Sequence, residues 1–460
     1  MTSIETRVQK RPNVVPGPKG LPLIGNLDIV LGKRDIHSIL HLREIYGDII
    51  RQGLGTAEIY ILTHPDLAAR VLQINNRNYV KGDLFEQLRD IIGNGLVTSE
   101  GEFWRRQRRL IQPAFHRRLI AGFADIMIDE TDAMLQRWSE YSVTGKRFRL
   151  DEHMARLTLR IVARSLFSTS LSEADITTIR ETLVPLLQES NRRRRLPFDL
   201  LKSLPTPANR AFEHNLARLN GLIHGIIENR RLHPGDYQDL LQTLIDMTDE
   251  DSGQGMSNAQ LRDEVVTLFI AGHETTAIAL LWMFKLLSEQ PIARRELQRE
   301  VETVLGERRP TADDYSNLLY TLAVFEETAR LYPPVTMIPR TLLDDDVLGG
   351  YTIPKGAHVV VNLYALHHHP DFWDNPEGFD PARFLTENAK GRHPFAYIPF
   401  GRGPRLCIGE LFAKMEAALV LARITQKFEV NLAPGQNIRV GSTPAMRPET
   451  GIFVTVKPRA

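Results

Sequence analysis

The chain has 460 residues, 42% hydrophobic and 25% charged, a composition that excludes disordered, collagen-like and low-complexity classes and leaves enough apolar residues for a large core. Lys plus Arg (57) nearly balance Asp plus Glu (56), so no overall field recruits nucleic acid and any charged partner must meet a local patch. A single cysteine, Cys407, excludes an internal disulfide, a four-thiolate zinc site and a cysteine-held iron–sulfur cluster, and points to a reducing compartment.

Residues 1–25 carry Pro12, Pro16, Pro18 and Pro22 with Gly17, Gly20 and Gly25, which predicts an irregular, extended lead-in. This segment has no signal-peptide core and no run approaching the ~20 apolar residues of a membrane span. A cytoplasmic, monomeric protein without a transmembrane anchor is therefore expected. Two strand-like runs follow, "DIIRQGL" and "EIYILT". From about 64 to 330 the apolar spacing is helical, broken at "HPGD" (233–236) and "DEDSGQG" (249–255). The most apolar run, "AIALLWMF" (277–284), is flanked by Glu274 and Lys285 and is too short to span a bilayer, so it reads as a buried helix. Strand-like runs return near 340–363, as in "HVVVNL", and close the chain in "GIFVTV". No repeat or linker divides residues 26–460, which predicts one large, mainly helical unit with a small β portion.

Four stretches carry chemistry. "FWRRQRRLIQPAFHRR" (103–118) places Trp104 and Arg108 on one helix face. "AGHETTA" (271–277) lies in a helix that starts at Ser257, where Ser257 and Gln260 fit a capping box; there the Thr275 hydroxyl can reach the Ala271 carbonyl, and Gly272 permits close approach. "EETARLYPP" (326–334) puts Glu327 and Arg330 on one face of a helix that Pro333 must end. The fourth is "FGRGPRLCIG" (400–409), which frames the single thiol with Gly401, Gly403 and Gly409. The helical spacing that follows sets Cys407 at or just before a helix N-terminus, where free N–H groups depress a thiol's pKa. A phosphatase loop would need Arg where Ala413 stands, and C-x-x-C-H haem attachment is absent. A nucleophilic cysteine stays open; a thiolate metal ligand is better supported.

The pattern F-x-x-G-x-R-x-C-x-G, met at Phe400, Gly403, Arg405, Cys407 and Gly409, resembles the haem signature of cytochrome P450 monooxygenases, and the other three stretches resemble that family's motifs in the same order. The resemblance implies a mainly α (α+β) cytochrome P450 fold, with haem b between a long central helix and the cysteine loop. It implies Cys407 as axial thiolate ligand of the iron, with Phe400, Gly401 and Gly409 around it. Trp104, Arg108, Arg340 and Arg405 would donate to the haem propionates. Ala271 and Gly272 would form an oxygen-binding groove with Thr275 and Glu274, the last relaying protons. Glu327, Arg330 and Arg383 of "FDPARF" would form a buried structural network. The substrate pocket would draw on residues 84–98, including Leu96 and Val97, and on Phe269, Val335, Thr336 and Met337.

The implied reaction hydroxylates or epoxidises an apolar substrate, whether fatty acid, terpenoid, steroid or polyketide-like, with O2 and NAD(P)H. Electrons would come through a separate ferredoxin reductase and ferredoxin, since the sequence carries no reductase. Arg105, Arg106 and Arg109 read either as a solvated helix face or, with Arg402 and Lys414, as docking cations for that acidic donor. A peroxygenase or isomerase on the same fold, and a haem sensor or carrier without turnover, are the alternatives. Two tracts are set aside: "HHH" (367–369) as packing or surface histidines, and the arginines 192–195 as a solvated charge run.

Overall fold

The computed structural model describes residues 14–21, 25–26, 36–54, 57–193, 204–237, 239–247, 255–441 and 445–459. Pro12, Pro22, Arg194, Arg195 and most of the break at 249–255 lie outside the described residues. The contacts group the chain into two compact units: Met1–Gly82 with Thr336–Pro376 and Arg392–Leu406, and Asp83–Val335 with Glu377–Gly391 and Cys407–Ala460.

The first unit is built on a five-stranded sheet in the order Ile49–Leu54, Ala57–Leu62, His358–Asn362, Met337–Leu342, Tyr79–Val80. The early strand-like runs form the antiparallel pair at its edge, Ile50 opposite Ile61. "HVVVN" joins Ala57–Leu62 in parallel, with Val360 opposite Ile61. A central strand is covered on both faces, which is why Val359, Val360 and Val361 follow one another without alternation. Leu62, Val359 and Val361 exclude solvent, and Val71, Leu72, Leu342 and Ile398 pack with them.

Helices dominate the second unit. The longest, Asn258–Glu289, begins at the expected capping box: Ser257 Oγ accepts from Gln260 N–H at 3.2 Å, and Gln260 Oε1 accepts from Ser257 N–H at 2.9 Å. It is the one helix among the described residues long and apolar enough to cross a membrane, but 72% of its apolar window is buried inside the protein. It packs on the helix Leu150–Phe167. At Gly272 a Cβ would lie 3.0 Å from Val162 Cγ2, so the glycine sets how closely the two helices approach. Thr158 Oγ1 also donates to the His273 carbonyl at 2.9 Å. The "EETAR" helix, Leu319–Leu331, stops two residues before Pro333, and the cysteine is followed by the helix Glu410–Lys427. "GIFVTV" supplies the middle strand, Phe453–Pro458, of a three-stranded sheet.

Candidate active site

Cys407 stands two residues before Gly409, the N-cap of Glu410–Lys427. Its side chain keeps exposed surface, yet enough protein surrounds it for desolvation to push the thiol above its ordinary value. The Gly409 N–H and the Arg108 guanidinium pull the other way, and Glu410 pushes it further up. This corrects the expectation of a depressed thiol. Burial costs the anion more than one helix terminus returns, so ionisation needs a cation opposite the sulfur. Gly409 also differs from its expected use: its φ of −88° is open to any residue, and its contribution is the N–H.

The helix Gly101–Ile111 carries Trp104 and Arg108, both half-buried. Desolvation pulls Arg108 below its ordinary value and the Cys407 sulfur raises it, so guanidinium and thiol sense each other. Arg108 Nε also donates to Gln112 Oε1 at 3.0 Å. On the long helix, Thr275 Oγ1 donates to the Ala271 carbonyl at 2.8 Å. Ala271 is exposed in the middle of this otherwise buried helix. A small side chain beside a hydroxyl there leaves room for a diatomic ligand or water.

Glu327, Arg330 and Arg383 come together. Arg330 forks onto Glu327 with Nε to Oε2 at 2.7 Å and a second donor to Oε1 at 2.8 Å, and both residues are fully buried. The Asp380 N–H donates to Glu327 Oε1 at 2.9 Å, Arg383 Nε stands 3.4 Å from the same oxygen, and Arg330 donates to the Gly378 carbonyl at 2.9 Å.

In the first unit, Gly401 (φ 72°) and Gly403 (φ 74°) take the left-handed conformation that the cysteine loop requires. A Cβ on Gly403 would meet the Leu72 carbonyl oxygen at 2.0 Å. Phe400 and Arg405 are half-buried. Arg340 is 7% exposed and donates to the Pro339 carbonyl at 2.7 Å.

The expected pocket residues divide. Val335 is exposed, Val97 and Met337 are half-buried, and Leu96 is buried with its N–H donated to Glu264. Phe269 does not line accessible space: it stacks on Phe167, ring centroids 5.0 Å apart, in the contact between two helices. Thr336 is also fully buried, its carbonyl accepting from the Leu363 N–H.

Among the docking cations, Lys414 is bonded to Glu326 and Glu410 at 2.9 and 2.8 Å, and Arg105 pairs with Glu102. Arg109 is exposed. His367, His368 and His369 are all buried, His367 Nε2 accepting from the Ile398 N–H and His369 Nε2 lying 3.1 Å from Asp48. Asp48, His64 and His369 are spaced as metal ligands could be. However, each imidazole accepts a backbone N–H at Nδ1, His64 from Asp66 and His369 from Asp371, which leaves the proton on Nε2 and no lone pair for a metal. In the arginine run, Arg192 pairs with Glu189, whereas Arg193 is buried, bonded to Asn209 and set over the Phe212 ring. Arg193 is thus an anchor between two helices, not part of a solvated face.

Three residues escaped the sequence reading. Arg447 ion-pairs with Glu274. Glu416 is fully buried on the cysteine helix with its carboxyl pushed far up by desolvation; the Thr276 hydroxyl is close enough to temper this without making a well-formed hydrogen bond. Gln107 is buried one turn from Trp104 with both amide atoms unpartnered. Arg447 and Glu416 belong to no local motif, and an ion pair of residues 173 apart has no signature in spacing; Gln107 lies between Trp104 and Arg108, but spacing does not show that its amide is buried.

The donor set suits a haem. A thiol that needs an opposing cation to ionise, a guanidinium that senses it, and a small residue beside a hydroxyl on an otherwise buried helix match the requirements of iron, carboxylate and oxygen in turn. The chain matches the cytochrome P450 family model over residues 15–456. It is 39% identical over 432 residues to cyclooctatin synthase of Streptomyces melanosporofaciens, covering 93% of this chain and 92% of that protein. To cyclooctat-9-en-7-ol 5-monooxygenase of the same organism it is 36% identical over 421 residues, covering 92% and 90%. To pentalenene oxygenase of Streptomyces avermitilis it is 34% identical over 423 residues, covering 92% of each. The crystal structure of the cytochrome P450DA haem domain matches with a TM-score of 0.88 at 29% identity, over 97% of this chain and 98% of that one. The chain therefore belongs to the cytochrome P450 family and is a cytochrome P450 monooxygenase, a family that holds haem iron through a cysteine thiolate.

Proposed function

We propose that this enzyme inserts one oxygen atom of O2 into a terpenoid-type substrate and reduces the other to water, drawing electrons from NAD(P)H through a separate ferredoxin reductase and ferredoxin in the cytoplasm. The observation that carries the substrate class is the set of relatives that match almost the whole chain and are named for cyclooctatin, cyclooctat-9-en-7-ol and pentalenene. The apolar side chains of Val335 and Val97 suit such a substrate, which offers few polar handles.

Haem, when bound, supplies the oxygen activation and the oxidising power. The protein supplies position, protons and exclusion of water. Cys407 would hold the iron through its thiolate, and the Gly409 N–H, donated to the sulfur, favours negative charge on that atom. Arg108 and Trp104 would hold the cofactor's carboxylates, for which a guanidinium fork is suited. Ala271, exposed on the long helix, keeps the groove open, whereas Gly272, expected beside it, packs against Val162 of the neighbouring helix instead. Thr275 Oγ1, anchored on the Ala271 carbonyl, fixes a hydroxyl at which a proton can be held, and Glu274, its neighbour in the chain, exchanges protons with it.

The test is turnover by the purified holoenzyme with ferredoxin, reductase and NADPH. Cyclic terpene hydrocarbons and alcohols are offered beside fatty acids and steroids, under isotopically labelled dioxygen. Labelled terpenoid products are expected. Turnover of fatty acids or steroids alone would refute the substrate class, and oxidation driven by peroxide but never by NADPH would favour a peroxygenase.

A further inference from the structure

The carboxylate of Glu274 is engaged by the Arg447 guanidinium. Glu274 is 12% exposed and Arg447 33%, so the pair is only partly screened by water. A carboxylate bonded to a guanidinium acts as an acceptor at both oxygens. To hand a proton towards Thr275 it must first take one up, and that means parting from the arginine.

Arg447 is carried by a braced segment. Met446, next to it, is fully buried, and its carbonyl accepts from Trp282 Nε1 at 2.6 Å. Trp282 in turn stacks on Tyr332, ring centroids 4.1 Å apart. On the other side of Met446, Ala445 forms a β-bridge with Val335, the exposed apolar residue that follows Pro333 and Pro334. The Arg447 N–H donates to the Ala445 carbonyl and the Gly441 N–H to the Arg447 carbonyl, each at 2.7 Å. One short segment therefore joins a residue assigned to the substrate pocket to the acid assigned to proton delivery. His273 also faces the pair, a buried imidazole held below its ordinary value by desolvation and sensing both Glu274 and Arg447.

We propose that Arg447 is a positioning residue that latches Glu274 and releases it when substrate contacts the Val335–Ala445 bridge, so that protons reach the oxygen groove only when there is something to oxidise. This rests on the reading of Glu274 and Thr275 as the proton groups. Without the latch, two electrons from NADPH and two protons reduce O2 to hydrogen peroxide in the absence of substrate.

The experiment compares holoenzyme carrying Arg447→Met, Arg447→Lys, Glu274→Gln and the Arg447→Met/Glu274→Gln pair. Arg447→Met should consume NADPH several-fold faster than wild type without substrate, with matching peroxide. Arg447→Lys, which keeps a cation near the carboxylate, should restore most of the restraint, and the double variant should fall to the Glu274→Gln rate. Equal leakage in the double variant and in Arg447→Met, or no leakage in Arg447→Met, overturns the latch. Glu274→Gln alone tests the underlying reading: unchanged product per NADPH removes that reading and the latch with it, whereas reduced coupling there with no leak in Arg447→Met removes the latch alone. Hydrogen exchange on wild-type holoenzyme gives a readout independent of turnover and of variant folding. The Gly441 and Arg447 amides should exchange faster when a ligand that displaces the iron's water saturates the site, and unchanged exchange overturns the proposal.

Discussion

Glu327 and Arg330 lie one helical turn apart with no solvent exposure, joined by two hydrogen bonds of 2.7 and 2.8 Å. A lone surface pair at this spacing contributes little. This one is different because the backbone at Gly378 and Asp380 completes it, so the helix and the segment leading to Arg383 are fixed to each other by charged hydrogen bonds in a dry place. Removing either partner leaves the other charge buried and unpaired, at a cost of about 3–5 kcal/mol. That is a large share of the ~5–15 kcal/mol that holds a typical domain together. Glu327→Ala and Arg330→Ala are expected to lower the yield of haem-loaded protein far more than the activity per haem, measured as haem absorbance against total protein. Full haem loading in both variants would return the pair to the role of a weak bridge.

Glu416 gives a pH dependence with a definite sign. Burial raises its carboxyl well above the ordinary 4.5, so the folded protein keeps a proton that the unfolded chain releases. Its contribution to stability is full below about pH 4.5 and is lost as pH rises towards the folded value, at up to about 1.4 kcal/mol per unit. Glu416→Gln keeps the shape and removes the ionisation. The variant is expected to match wild type near pH 4 and to exceed it in urea midpoint at pH 8. Parallel pH curves would show that Glu416 ionises freely in the folded protein.

The Cys407 thiol, pushed up by burial, should react slowly with iodoacetamide in the cofactor-free protein at neutral pH, faster as pH rises, and not at all once haem is loaded. In the reduced, carbon-monoxide-bound form, wild type should show the red-shifted Soret band of a thiolate ligand, and Cys407→His should lose it. An unshifted wild-type band would remove Cys407 from the iron.

Local motifs were legible in the sequence because each is a short-range device. The Ser257 capping box, the Thr275–Ala271 hydrogen bond and the Glu327–Arg330 pair span three or four residues, so helical spacing alone brings them together. The strand "HVVVN" was legible as a strand, but its parallel partner, some 300 residues away in sequence, was not. The thiol's direction was misjudged because the helix terminus shows in the sequence while the protein packed around the sulfur does not. Phe269 was misassigned for a related reason: it lies two residues from Ala271, and only the position of Phe167 shows that it faces the other helix. Arg447 was missed altogether, since nothing near it in sequence ties it to Glu274.

The surface predicted to meet an acidic ferredoxin changes in content once local pairs are counted. Lys414 is committed to Glu326 and Glu410, and Arg105 to Glu102, so their charge is largely neutralised where it stands. Arg109, exposed on the same helix as Trp104 and Arg108, keeps more of its field. Arg109→Glu is therefore expected to slow electron delivery from the ferredoxin more than Arg105→Glu, and to flatten the dependence of that rate on salt. The second effect follows from screening: at ~0.15 M ionic strength the Debye length is about 8 Å, so a rate that relies on exposed charge falls as salt is added. Oxidation driven by hydrogen peroxide bypasses the donor and should be nearly unchanged in both variants. Stopped-flow reduction by the ferredoxin, run beside the peroxide-driven reaction over a salt series, makes the comparison. A parallel fall in both reactions would mean that Arg109 supports the haem or the fold, and no fall in either would mean that this helix face does not meet the donor.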